Sequence, residues 1–449
     1  MFLEAQGKGM QNLFNQFAKD IFQKLQVDEV LSLSSSGEKT LFMRLNQAKI
    51  RQITIVDQGS IKFTFLKNGR HINYHLPFGS DSKVNFEQGK KVLEKCREDA
   101  NQLPLDPFCP EINNLGNSEE HHKGFFPEDK DWMDVLSPMI KDLDCAGILT
   151  AGSVMRGNIN SLGQSHWYES ENFCLDLSFY TPSQKAVKLI YADKDWSKEL
   201  FQDKLDFSKE QLSKLDSPNK TLAPGKYRTY FAPEAVCGFL NILSWNGVGA
   251  SSYYQGQSAF KLIKDGDATL SPLFTLCEDF SKGSSPRFNS FGELAPMSLP
   301  IVEKGQLKNL LTSTRSAKEY KLETNYADSG EGLRAPSIST GSLQESEILK
   351  TLDTGLFVSN VHYLNWSDLN KGRITGMTRY GCFWVEDGKI VSPIKDMRFD
   401  ETLYHFWGEG LLSLTDESYL IAETDTYDQR SVGGSLVPGM LVDNFSYTL

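Results

Sequence analysis

Two α+β domains are what the sequence predicts. The first, residues 1–220, is expected to be a mainly antiparallel sheet with covering helices. The second, residues 221–449, is expected to be rich in antiparallel strands with a few helices. Three observations carry this. Alternating apolar runs joined by tight turns follow an amphipathic helix in the first half, and tight turns join antiparallel neighbours. The stretch Asp216–Gly225, with Ser-Pro-Asn and Ala-Pro-Gly, has the turn composition of a boundary. Beyond it, glycines punctuate short strand-like runs. A chain of 449 residues is long enough for two or three domains of roughly 100–200 residues each.

In chain order, Asn12–Leu25 reads as an amphipathic helix, because Leu13, Phe14, Phe17, Ala18, Ile21, Phe22 and Leu25 recur at helical spacing. Strands are predicted at 29–34, 40–45, 50–56 and 60–66. In the last, Ile61, Phe63 and Phe65 alternate with Lys62 and Thr64. Asn68-Gly69 marks a hairpin into a return strand at His71–Leu76. A helix is predicted at Phe86–Asp99, then a long polar loop at Asn101–Asp129, then a helix at Asp131–Leu143. Strands return at 146–150, 172–180 and 186–192, followed by a helix at Ser197–Leu215. The second half starts with a strand at Lys226–Phe231. Pro233 suits the first turn of a helix, and Glu234 behind it suits the helix dipole. Late strands are predicted at 355–360, at 382–386 and 389–391 around Asp387-Gly388, and in the tail 439–449.

Composition excludes several functions. The formal charge of −11 opposes a phosphate backbone, and no basic stripe with interleaved aromatics offsets it. No apolar run reaches the ~18–20 residues needed to span a bilayer. The N-terminus shows no secretory signal, so the cytoplasm is the expected compartment. Seven widely spaced cysteines without a C-x-x-C pair argue against a disulfide framework or a cysteine-rich zinc site.

Catalytic motifs are equally sparse. His71 and His75 read as ordinary strand residues, and His121-His122 as part of a solvated loop. H-E-x-x-H, G-x-S-x-G and the phosphate loop G-x-x-x-x-G-K-[ST] are all absent. Gly247-Val-Gly249 lacks the third glycine of a dinucleotide fingerprint, and Gly247 reads as a helix C′ residue. Neither Cys174 nor Cys237 has a visible neighbour to activate a thiolate. No cofactor is expected.

From Tyr230 onward the residues form an ordered set of short pieces. Ala232-Pro233-Glu234-Ala235-Val236 comes first, then Pro300-Ile301-Val302-Glu303-Lys304-Gly305-Gln306-Leu307 and Ser316-Ala317. Thr354-Gly355-Leu356-Phe357-Val358 follows, then Phe383-Trp384-Val385-Glu386-Asp387-Gly388-Lys389-Ile390 ahead of Pro393. In this order and spacing the chain resembles the TldD/PmbA family, bacterial proteins tied to peptide maturation and proteolysis. The first half resembles that family's N-terminal domain through its meander and flanking helix.

The resemblance implies a specific test. In the family's catalytic, TldD-like arm, the helix after the P-E-A-V piece carries H-E-x-x-x-H, whose histidines bind a metal and whose glutamate polarises water. Here Asn241 and Asn246 stand at the histidine positions and Ile242 at the glutamate position. No cysteine follows Cys382, so the family's late metal-ligating cysteine is missing as well. The resemblance therefore implies the PmbA-like (TldE-like) arm: a non-catalytic, protease-like subunit binding a TldD-like partner and a peptide, as a homodimer or heterodimer. Two alternatives stay open. One is a self-sufficient peptidase with a nonstandard metal or nucleophile, and the other is a binding or structural protein without a proteolytic partner. The family was once linked to control of DNA gyrase, and the charge gives no support for direct DNA contact. Trp245 stands where the catalytic pattern has glycine, so a closed, partly apolar pocket is expected, with Asn241 and Asn246 bonded to backbone. Phe288, Phe291, Leu294 and Met297 are candidate apolar surface for a dimer, or else they cover the second domain's core.

Overall fold

The computed structural model describes residues 4–449. The N-terminal domain is a seven-stranded sheet with four helices, in the order α1 (Glu4–Phe22), β1 (Glu29–Asn46), β2 (Lys49–Lys67), β3 (Arg70–Pro77), α2 (Ser82–Ala100), β4 (Asn117–His122), α3 (Trp132–Ile140), β5 (Asp144–Asn160), β6 (Ser165–Tyr180), β7 (Ala186–Asp193) and α4 (Lys198–Leu215). Strands run β3-β2-β1-β5-β6-β4, with β7 also on β6, and every pairing is antiparallel except β4–β6. This is the predicted class.

The alternation in these strands assigns the two faces. Leu31, Leu33, Leu41, Met43 and Leu45 of β1 share one face, as odd positions on a pleated strand must. Helices α1 and α2 cover one end of that face through Phe14, Phe17, Leu93 and Cys96. Helices α3 and α4 cover the other end through Trp132, Leu136, Phe201 and Leu205. Helix α2 is capped by Asp81, whose carboxylate accepts from the Lys83 and Val84 amides, and α4 by Ser197, which accepts from the Leu200 amide at 3.1 Å.

The opposite face carries Ser32, Ser34, Ser36, Lys62, Arg156, Asn158 and His166, and it packs on the C-terminal domain instead of facing water. The Ser34 hydroxyl and the Asn158 amide both donate to the Ser290 carbonyl, at 2.6 and 3.1 Å. Gln164 donates to the Phe291 carbonyl at 2.9 Å. His166 stacks on Phe288 with centroids 5.3 Å apart. Gly292 sits here at φ +75°, where a Cβ would collide with Gln164 and Asn158. Phe288 and Phe291 are thus spent on docking the two domains, and they are not a free dimer surface as expected; Met297 remains half exposed.

In the C-terminal domain, β8 (Gly225–Phe231) leads into α5 (Pro233–Ser244). Then follow β9 (Leu276–Asp279), β10 (Ser298–Glu303), β11 (Gln306–Leu307), β12 (Pro336–Ile338), β13 (Gly355–Asp368), β14 (Arg373–Glu386), β15 (Lys389–Pro393), β16 (Arg398–Thr402), β17 (Leu411–Ala422) and β18 (Gly434–Tyr447). The sheet runs β11-β10-β9-β12-β18-β16-β14-β13-β8. Because β8 also pairs with β18, the strands β18, β16, β14, β13 and β8 close on themselves. The pairings β8–β13 and β12–β18 are parallel, so this sheet is mixed. Phe239 of α5 is fully buried among Phe231, Phe399, Phe406 and Phe445, at centroid distances of 5.3, 6.0, 4.7 and 6.3 Å.

Several predicted boundaries differ from the structure. The runs at 29–34 and 40–45 are one strand, since Gly37 pairs with both Gly59 and Met155 and extends β1 without a break. The runs at 50–56 and 60–66 are likewise a single β2. The predicted loop at 101–129 contains β4, whose parallel pairing to β6 overrides its polar sequence Asn-Ser-Glu-Glu-His-His.

Candidate functional site

A cavity of about 460 Å³ lies between the polar face of the N-terminal sheet and the C-terminal domain. Its floor is built by Ser34 and Ser36 of β1, Lys62 of β2, His75 of β3 and Arg156 of β5. Register explains the grouping: Ser34 lies opposite Lys62, Lys62 opposite His75, and Ser36 opposite Arg156, and cross-strand partners share a face. Above them stand Asn241 and Ser244 of α5, one helical turn apart, with Asp328, Arg334 and Glu423 from loops.

The three family-site positions do not converge on this cavity. Asn241 lines it, is exposed, and has only the Cys237 thiol near its carbonyl oxygen, at 4.0 Å. Ile242 is 7% exposed and belongs to the core cluster of the C-terminal domain. Asn246 lies past the helix end at φ +63°, a left-handed conformation that asparagine tolerates. It takes the position expected of Gly247. Gly247 is needed for a different reason, since a Cβ there would collide with the Leu243 carbonyl. Trp245 does not fill the cavity. Its ring is 56% exposed, and its carbonyl accepts from the Trp366 indole at 2.9 Å. The expected closed, partly apolar pocket is instead a half-open cavity lined by both polar and apolar side chains, because the helix turns Asn241 and Ser244 into it and Ile242 away.

A catalytic metal does not fit these side chains. Neutral amides are poor zinc ligands, and a buried isoleucine accepts no proton. Among the described residues no three His, Cys, Asp or Glu side chains converge as a metal site. His405 lies 3.1 Å from Glu401, whose hydrogen bond and charge raise its pKa. His362 is exposed on β13 beside Arg379, and its pKa is lowered, first by burial. His121 and His122 lie on β4, where His121 contacts Glu119 at 2.8 Å and Glu169 at 3.3 Å. Thiol chemistry has no better support: burial pushes Cys237 up to about 11 and Cys174 up to about 12. Cys174 is also eight residues from His166 along β6, roughly 26 Å.

His71 and His75 share a face of β3 but differ in surroundings. Burial against Phe291 pushes His71 down to about 4, with the Lys62 charge adding to the shift. A histidine whose folded pKa lies below its unfolded value contributes stability above pH 6.5 and loses it as pH falls toward 4. The expected loss is about 2–3 kcal/mol. Urea unfolding at pH 7 and pH 4.5 checks this, with His71→Phe losing less over the same interval than the unaltered chain.

Residues 224–448 match the family model of the PmbA/TldA metallopeptidase C-terminal domain. The chain belongs to the TldD/PmbA family. No curated protein sequence matches it. Its fold is shared by a candidate modulator of a DNA gyrase from Thermotoga maritima, at TM-score 0.76 and 15% identity over 97% of this chain and 100% of that one. TldE from Thermococcus kodakarensis aligns at TM-score 0.75 and 15% identity over 98% and 100%. A candidate modulator of DNA gyrase from Bacteroides thetaiotaomicron aligns at 0.74 and 14% over 98% of each chain. At these identities the likeness is one of fold. Within a TldD/PmbA frame, sequence reasoning found α5 and missed the cavity floor. Serines and single cations at alternate strand positions look solvent-facing, and only long-range docking buries them.

Proposed function

We propose that the chain is a non-catalytic, protease-like subunit of the PmbA-like (TldE-like) arm, which holds a peptide between its domains beside a metal-bearing, TldD-like partner. One observation carries the reading. The helix that would supply the metal site presents Asn241 and Ser244 to the cavity and sends Ile242 into the core. These groups hydrogen-bond a peptide and cannot activate water for its hydrolysis. All seven cysteines are free thiols, six of them buried, which supports a reducing compartment, the cytoplasm. Among the described residues no helix is long and apolar enough to cross a membrane. The test is reconstitution: a peptide stays intact with this chain alone and is cut faster by a TldD-like subunit when this chain is added. No effect on the subunit's rate would sink the reading.

Assembly as a dimer is part of the proposal. The outer edge of β2 before Gly59 is not paired by β3, which begins its pairing at Ser60. A register shift beside Arg51 puts Ile50, Ile53 and Ile55 opposite Leu45, Met43 and Leu41, so all three isoleucines share one face and remain 44–51% exposed. An apolar strip on an open edge suits a second chain of this family. Light scattering of the pure chain is expected to give a dimer mass, and Ile53→Asp a monomer. A monomer mass for the unaltered chain at micromolar concentration would contradict it.

A further inference from the structure

We propose that the cavity recognises both ends of a short, free-ended peptide, the carboxylate on Lys62 and Arg156 and the ammonium group near Asp328 and Glu423. This rests on the peptide-holding reading above. The observation behind it is that five charged side chains, Lys62, Arg156, Asp328, Arg334 and Glu423, line one cavity and none forms a direct ion pair among the described residues. Arg156 spends its guanidinium on two carbonyls, those of Met155 at 2.8 Å and Arg430 at 3.1 Å, and although the Glu38 charge acts on it, no carboxylate among the described residues pairs with it directly. Burial lowers its pKa accordingly. The Lys62 ammonium makes no hydrogen bond among the described residues, and Lys62 faces Ser34 and His75 across the sheet. A part-buried cation without a direct ion-pair partner is costly, and a bound carboxylate lowers that cost. Lys62 and Arg156 sit on the two strands flanking β1, two residues out of line, roughly 12 Å apart in backbone, a span that two long side chains close around one carboxylate.

The opposite wall is complementary. One oxygen of Asp328 accepts from the Ser290 hydroxyl at 2.8 Å and the Ser329 amide at 2.9 Å, and among the described residues the other accepts no hydrogen bond. One oxygen of Glu423 accepts from the Thr424 and Asp425 amides at 3.1 and 3.3 Å, and its second is equally uncommitted. Arg334 stands on this wall too: its guanidinium donates to the Phe288 and Arg287 carbonyls at 3.0 and 3.3 Å and lies over the Phe280 ring, and its charge acts on Glu278, Asp328 and Glu293, leaving Glu423, among the described residues, the carboxylate on this wall without a nearby cation. Unpaired cations on the sheet wall and the free carboxylate oxygens of Asp328 and Glu423 on the other suit a zwitterion. About 460 Å³ is within the roughly 300–1,000 Å³ of ligand pockets, larger than a single small amino acid needs.

Calorimetry on the full chain decides this with four probes: tetra-alanine with free ends, its C-terminal amide, its N-acetyl form and the doubly blocked peptide. The free-ended peptide is expected to bind at least tenfold tighter than either singly blocked form. Lys62→Met, which breaks no internal bond, is expected to weaken the free-ended peptide about tenfold and leave the amide unchanged. Arg156→Gln gives a second reading of the same kind. Equal affinity for all four peptides would overturn recognition of the ends while leaving a peptide cleft in place. No binding of any of them would overturn both.

Discussion

Replacing Ile242 with glutamate is expected to destabilise the chain by about 3–5 kcal/mol and to confer no peptidase activity, even combined with Asn241→His and Asn246→His. The side chain at 242 is 7% exposed and packed within the C-terminal core. A carboxylate placed there leaves water without a cation to meet it, so it is expected to stay protonated at higher pH than usual. The sign follows. With a folded pKa above the unfolded value, the variant loses stability as pH rises, so urea unfolding at pH 8 shows a larger deficit than at pH 5. The histidines add nothing, because Asn246 lies beyond the helix end and away from the cavity that Asn241 lines. A triple variant that is as stable as the unaltered chain and binds zinc stoichiometrically would contradict this.

The second large effect is expected at Arg430, where the domains meet. Its backbone amide donates to Glu38 at 3.2 Å. Its guanidinium donates to the Thr40 hydroxyl and the Gly152 carbonyl, each at 3.4 Å, and to the Asn172 amide oxygen. The side chain is 6% exposed, and burial lowers its pKa to about 10, so it enters the interface at a cost that these acceptors offset. Arg430→Met keeps the volume and strands the Asn172 and Gly152 acceptors. The expected loss is about 3 kcal/mol, read as a lower urea midpoint. Arg430→Lys is expected to recover little, since one ammonium cannot span the acceptors that a planar fork reaches. A loss under about 0.5 kcal/mol would show that the network is incidental.

These residues also show what was readable from sequence and what was not. The odd-numbered apolar positions of β1 and β2, the hairpin at Asn68-Gly69 and the helix opening at Pro233 were legible, because each is set by local periodicity or a single turn residue. The length of β1 was not, since a glycine in mid-strand reads as a break unless its neighbours on both sides are known. Strand β4 was hidden because Asn117–His122 has no apolar alternation, and its partner β6 lies far along the chain. The site was half legible. Asn241 was found through the family pattern, whereas Ser34, Lys62 and Arg156 became visible only once the sheet register aligned them under α5. The direction of Ile242 depends on how α5 packs in its core, which spacing alone does not fix.

This member of the TldD/PmbA family is expected to have no metal-dependent hydrolytic centre of its own, since no metal-binding cluster is found among its described residues. Elemental analysis of chain purified without chelator, with a peptide-cleavage assay on the same sample, tests it most directly. Less than a tenth of an equivalent of zinc per chain is expected, with cleavage indistinguishable from buffer. About one tightly held metal per chain, with cleavage abolished by a chelator and restored by zinc, would contradict it.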